Sequence, residues 1–186
     1  FVSHDIDEAV KMGDKIAIFR GGKLVQYDAP DELLAHPKND FVADFVGGDR
    51  ELKRMRLIRV QQAMELTRAS AYAGDTLGEA KQRLDQAGGE HLVVLDDDDR
   101  PQGQLSRDDL EQGDAKSTCG EEQHPLAAPV ARDHDLRTAV ARMFTYNTVW
   151  LAVVDDDGRY AGTISNQSIT DHLHRVRKKG RERETA

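Results

Sequence analysis

The 186-residue chain is 38% hydrophobic and 32% charged, which suits a soluble globular protein of one or two domains, and no apolar run approaches the ~20 residues of a membrane-spanning helix. Its formal charge of -8 is uneven: residues 1–60 carry -1, residues 61–174 carry -11 and residues 175–186 carry +4. An acidic module excludes a nucleic-acid interface built on phosphate contacts, and Cys119 as the single cysteine excludes an intrachain disulfide and points to a reducing, cytoplasmic setting.

The N-terminus has no basic start followed by an apolar core, so no secretory signal is expected. Phe1 to His4 read as the end of a strand, followed by a helix from Asp5 to Met12. The alternation in Lys15–Arg20 and Lys23–Asp28 around Gly21-Gly22 predicts a hairpin. Pro30 at a first helical position opens a helix to His36, and an amphipathic segment from Asn39 to Val46 stops at Gly47-Gly48. Ser3-His4-Asp5 is not a hydrolytic triad, because three consecutive residues cannot converge as nucleophile, base and orienter.

The connected series Phe1-Val2-Ser3-His4-Asp5-Ile6-Asp7-Glu8-Ala9, Gly13-Asp14-Lys15-Ile16-Ala17, Gly22-Lys23-Leu24-Val25-Gln26 and Ala29-Pro30-Asp31-Glu32-Leu33 resembles the C-terminal end of an ABC-transporter ATPase. The resemblance makes His4 the switch histidine that meets the γ-phosphate of ATP in an intact parent. These residues contain no Gly-x-x-x-x-Gly-Lys-Ser/Thr loop, no signature sequence and no acidic strand end for Mg²⁺. ATP and Mg²⁺ are therefore expected of a longer parent, and no catalysis or resident cofactor is expected of this piece.

The rest of the chain is a duplication. Leu92-Val93-Val94-Leu95-Asp96-Asp97-Asp98 returns 59 residues later as Leu151-Ala152-Val153-Val154-Asp155-Asp156-Asp157. Leu77, Ala80 and Arg83 return as Leu136, Ala139 and Arg142, and Arg100, Gly103 and Ser106 as Arg159, Gly162 and Ser165. Each copy reads as β-α-β-β-α: a period-3.6 helix capped by Thr76 (with Glu79, a capping box) or Asp135, a buried strand, a tight turn at Asp98-Asp99 or Asp157-Gly158, a second strand ending at Ser106 or Ser165, and a closing helix. One copy is too small to bury much surface alone, and pairing supplies the missing core. The acidic turns read as solvated hairpin tips and no metal site is expected. Trp150, Tyr146 and Tyr160 read as core residues in preference to a cage for a quaternary amine.

Residues 58–175 resemble two cystathionine-β-synthase (CBS) domains in tandem, a Bateman pair. An ATPase end followed directly by such a pair is similar to the ATP-binding subunit of quaternary-amine importers, the glycine betaine, proline or carnitine uptake systems. The implied fold class is α/β (α+β): a CBS pair with pseudo-twofold symmetry, preceded by an incomplete ATPase segment. The implied domains are 1–57, the ATPase end; 58–117 and 118–175, the two CBS domains; and 176–186, a basic tail.

In CBS domains that bind adenine nucleotides the family pattern is Gly-x-apolar-Ser/Thr-x-x-Asp. Copy one keeps it from Gly103 through Ser106 and Arg107 to Asp109, whereas copy two keeps Gly162 and Ser165 but has Ser168 at the Asp position. Nucleotide binding through Ser106, Arg107, Asp109 and Ser165 is thus implied, alongside the plainer reading in which the serines are helix caps and the glycines close-packing positions.

Ile169, Leu173 and Val176 give the last helix an apolar stripe. Beyond it Arg175, Arg177, Lys178, Lys179, Arg181 and Arg183 form a basic cluster, read either as a solvated terminus or as a contact for anionic lipid or for the acidic repeats. The resemblance implies a homodimer through the CBS domains, a transmembrane permease partner and a location on the inner face of the membrane. The regulatory stimulus is expected to be ionic strength or, alternatively, an adenine nucleotide or cyclic dinucleotide.

Overall fold

A computed structural model describes residues 1–66 and 69–184, with the side chains of the last helix up to residue 175. It divides into two compact units, one holding Phe1–Arg59, Asp135–Arg137 and the chain from Thr170, the other Val60–His134 and Thr138–Ile169.

In the first unit α1 (Ile6–Met12) is capped by the Asp5 carboxylate, which accepts the Asp7 amide at 2.7 Å. Strands β1 (Ile16–Arg20) and β2 (Lys23–Asp28) pair antiparallel around Gly21 and Gly22, whose φ values of 56° and 76° are the left-handed conformations a two-residue hairpin turn demands. Next come α2 (Pro30–Ala35), α3 (Asp40–Val46) and α4 (Arg50–Arg54); Asn39 caps α3 by accepting the Val42 amide at 3.1 Å. Ile6, Val10, Ile16, Ile18, Leu33, Leu34, Val42 and Val46 form the core. The sequence gives no sign of α4, and its last residue is the most unexpected member of the interior. Arg54 is fully buried, its Nε 2.8 Å from Asp31 and its Nη1 2.9 Å from Glu51.

The second unit begins with α5 (Val60–Ala63). The elements β3 (Ser70–Tyr72), α6 (Leu77–Ala87), β4 (His91–Leu95), β5 (Pro101–Ser106) and α7 (Arg107–Gln112) follow. After α8 (Cys119–Glu122) and the two-residue β6 (His124–Pro125), the series repeats as β7 (Val130–Ala131), α9 (Leu136–Thr145), β8 (Trp150–Val154), β9 (Tyr160–Ser165) and α10 (Asn166–Glu184), the first two residues of α9 and the part of α10 from Thr170 being counted with the first unit. Both copies have the expected β-α-β-β-α order. Helix α6 forms where expected because Leu77, Ala80 and Leu84 make one fully buried face, the Thr76–Glu79 capping box satisfies its first amides, and Gly88 ends it at φ 72°.

Equivalence extends to register. β4 is parallel to β3 and antiparallel to β5, with Leu92 opposite Leu105 and Val94 opposite Gly103. β8 is parallel to β7 and antiparallel to β9, with Leu151 opposite Ile164 and Val153 opposite Gly162. Both hairpins shift register at the same step, after Val94 and after Val153. Their tips carry matched turns: the Asp96 Oδ1 accepts the amides of Asp98 and Arg100, and the Asp155 Oδ1 those of Asp157 and Arg159. Asp99 and Gly158 hold the positive φ of each turn, at 64° and 79°. The acidic runs are therefore Asx-turns, with these side-chain oxygens committed to backbone donors.

Two features join the copies. Val93, Leu95 and Ala152 pack together with Leu126, Trp150 and Tyr160, and the Tyr160 amide donates to the Asp99 carbonyl at 2.8 Å. Each sheet is also finished by the segment that leads into the other copy. His124 pairs with Gln104 on β5, while Glu65 pairs with Thr163 on β9 through amide bonds of 2.8 and 3.0 Å. His124 and Glu65 are themselves 59 residues apart.

Candidate functional site

The copy-one site forms where β5 ends and α7 begins. Ser106 has extended backbone and Asp109 is the third helical residue, so each side chain reaches back to the other's amide. The Ser106 hydroxyl donates to Asp109 Oδ2 at 2.6 Å and the Ser106 amide to the same oxygen at 2.7 Å. The other oxygen, Oδ1, lies 3.1 Å from Nε2 of His124, carried in by β6. Burial would raise the Asp109 pKa, but the Ser106 bonds and His124 outweigh it and hold the carboxyl below the ordinary range. The expected pair Ser106 and Asp109 thus converges, with His124 as a member that motif reasoning overlooked.

Arg107 turns the other way. Its Nη1 lies 2.6 Å from Asp85 on α6, its Nη2 donates to the Gly89 carbonyl at 2.7 Å, and its Nε is 3.7 Å from Glu90. Contact with a ligand phosphate would require it to leave Asp85.

Copy two closes its cap without a carboxylate. The Ser168 amide donates to the Ser165 hydroxyl and the Ser165 amide to the Ser168 hydroxyl, both at 3.0 Å, and the Ser168 hydroxyl donates to the Ser165 carbonyl at 3.1 Å. Ser168 is buried. The serine that breaks the family pattern therefore makes a complete, neutral cap.

Other expected residues lie elsewhere. His4 is exposed ahead of α1, and the neighbouring Ser3 hydroxyl donates to Glu8 at 2.7 Å. In the basic cluster, the Arg175 Nε donates to the Asp171 carbonyl at 3.4 Å; the side chains of Val176, Arg177, Lys178, Lys179, Arg181 and Arg183 lie outside the described residues. Trp150 and Tyr160 pack in the seam between copies, as core aromatics should, but Tyr146 is half exposed just beyond the end of α9. Cys119 is fully buried, and burial pushes its thiol up to about 11. It stays protonated at neutral pH and is a poor nucleophile.

Acid should weaken the second unit in a definite direction. The Asp109 and Asp75 carboxyls both sit below their ordinary value; at Asp75 burial is opposed by the Tyr72 amide and by Arg83. A lowered carboxyl contributes stability that is present above the unfolded pKa of about 3.9 and lost as pH falls through the folded value. Thermal melts followed by Trp150 fluorescence should therefore drop once the pH passes below about 4. A midpoint flat from pH 5 to 2 would contradict this.

Comparison with known proteins places the two repeats in a family. The CBS domain model matches residues 64–112 and 127–175. The osmoprotectant import ATP-binding protein OsmV of Salmonella typhimurium is 41% identical over 173 residues, 92% of this chain and 45% of that protein. The glycine betaine/carnitine/choline transport ATP-binding protein OpuCA of Bacillus subtilis is 32% identical over 176 residues, 94% of this chain and 46% of that protein. The chain thus spans about half the length of the curated relatives it matches. Among solved structures, the CBS domain pair of protein MJ0100 in complex with 5′-methylthioadenosine and S-adenosyl-L-methionine has a TM-score of 0.53 at 21% identity, over 61% of this chain and 94% of that one. That likeness is one of fold.

Proposed function

The chain belongs to the CBS-domain family, and on that premise we propose that it is the regulatory C-terminal part of the ATP-binding subunit of an ABC importer for osmoprotectants such as glycine betaine or proline. The observation that carries this reading is the continuity of the match: the likeness to OsmV runs through 92% of the chain, including residues ahead of the CBS repeats. In the parent, His4 would serve as the switch histidine, while ATP and Mg²⁺ would be held by residues that this sequence does not contain. The partners are a second copy, met through the CBS domains, and a permease subunit; the place is the cytoplasmic face of the membrane. No helix among the described residues is long and apolar enough to cross it.

Ionic strength is the proposed stimulus. The +4 segment 175–186 follows a -11 module, and its attraction to anionic headgroups, about 1 kcal/mol per basic residue at the surface, weakens as the Debye length falls below about 8 Å. Contact between tail and lipid, or tail and repeats, restrains the ATPase at low salt and releases it at high salt. Deleting residues 175–186 from the reconstituted importer should move the salt threshold for transport; an unchanged threshold would rule the tail out.

A second reading is supported by the convergence of Ser106, Asp109 and His124 and by the adenosine ligands of the MJ0100 pair. Here an adenine nucleotide or cyclic dinucleotide sits in the CBS pair, its ribose hydroxyls on Asp109, with Ser165 marking the second position. Calorimetric titration with AMP, ATP and cyclic dinucleotides separates this reading from a purely ionic sensor.

A further inference from the structure

The two halves of the pair are equivalent in backbone but not in charge. Copy one sets a carboxylate on its capping helix, Asp109, beside a histidine on the crossing strand, His124. In copy two the capping residue is the neutral Ser168 and the crossing-strand residue is Glu65. The exchange is exact in register: His124 pairs with Gln104 as Glu65 pairs with Thr163, and each position differs from its counterpart by 59.

We propose that Glu65 supplies the sugar-binding carboxylate of copy two, delivered by the crossing strand in place of the capping helix. The inference rests on the nucleotide reading above. His124 shows what a side chain at this register can reach, for its Nε2 comes within 3.1 Å of the capping carboxylate of the copy it crosses into. Paired residues on antiparallel strands share a face, so Glu65 emerges on the same face as Thr163 and at the same end of its sheet as His124 does in copy one. A glutamate spans a distance comparable to a histidine ring and ends in two acceptors, suited to the two adjacent hydroxyls of a ribose. Glu65 is exposed, so its side chain is open to a ligand arriving from solvent. Ser165 and Ser168 satisfy one another's amides, leaving the copy-two cap intact without help from Glu65.

Each copy then has one sugar acceptor, but of opposite provenance. In copy one a ligand must displace His124 from Asp109, whereas in copy two it meets a carboxylate that makes no part of the helix cap. Copy two is the readier site.

The test is calorimetry of the full chain with AMP and with 2′,3′-dideoxy-AMP. Two AMP sites are expected, both lost with the dideoxy analogue. Glu65→Gln should weaken one of them by about tenfold or more and leave the thermal midpoint unchanged, because the residue is exposed. Asp109→Ser, which installs the serine cap that copy two already uses, should remove the other. Two sites of undiminished affinity in Glu65→Gln, or no site left in Asp109→Ser, would overturn the assignment while keeping the nucleotide reading. No AMP binding by the wild-type chain would overturn both.

Discussion

Arg54→Ala should be among the most damaging single substitutions in the first unit, costing about 3 kcal/mol or more. The guanidinium is fully buried and joins α4 to α2 through Asp31 at 2.8 Å and to its own helix through Glu51 at 2.9 Å. Burial alone would lower its pKa, but the two carboxylates outweigh that and raise it, so the group stays charged. Removing it leaves two acids facing each other across a cavity, and breaking a buried pair from one side costs roughly 3–5 kcal/mol. Asp31 and Glu51 are about one-third exposed, so water screens part of that loss, while the missing side-chain packing adds to it. Arg54→Met, which restores volume without charge, should recover part of the loss. Hydrogen exchange across residues 30–55 would read the effect, and protection in Arg54→Ala equal to wild type would refute it. Trp150, the single tryptophan, lies in the second unit and reports on that unit separately.

Arg54 also marks where sequence reading runs out. A period of 59 is visible because equivalent core positions need equivalent side chains, and the Thr76–Glu79 box and the Gly21-Gly22 hairpin are local chemistry with local signatures. An arginine in the short run Arg50–Arg54 looks solvated, and only the tertiary placement of Asp31, 23 residues earlier, makes its burial tolerable. Arg107 shows the opposite case: a cation inside a phosphate-binding pattern implies a ligand contact, and the fold also gives it partners in Asp85 and the Gly89 carbonyl that the sequence does not announce. The crossing strands are too short to show alternation, β6 being two residues and the Glu65 contact a single bridge. The 59-residue offset also aligns Met64-Glu65 with Gln123-His124, but the two pairs share no side-chain character, so their equivalence shows only in the register each keeps on its sheet.

The crossing also predicts that two equivalent glycines will not tolerate alanine equally. Gly162 sits at φ 148°, where a side chain is strained, and an added Cβ would overlap the Glu65 carbonyl oxygen and crowd Met64 Cε at 3.2 Å. Backbone strain of this kind costs about 1–3 kcal/mol. Relieving it means pushing Glu65 off β9, which forfeits the bonds at 2.8 and 3.0 Å, each worth about 1 kcal/mol net. Gly103 lacks the positive φ, and its Cβ would meet the Gln123 side chain, whose amide end can turn aside only by giving up its bond to the Gly120 carbonyl and whose Cβ, 3.0 Å away, must give slightly. Gly162→Ala should therefore destabilise the second unit by about 3 kcal/mol, and Gly103→Ala by about 1–2 kcal/mol. In Gly162→Ala the amides of Glu65 and Thr163 should exchange quickly while the centre of β8 stays protected, because the substitution detaches the crossing segment before it reaches the Leu151–Ile164 pair. Equal losses for the two alanines, or undisturbed exchange at Glu65, would mean that the close approach at Gly162 does not hold the copies together.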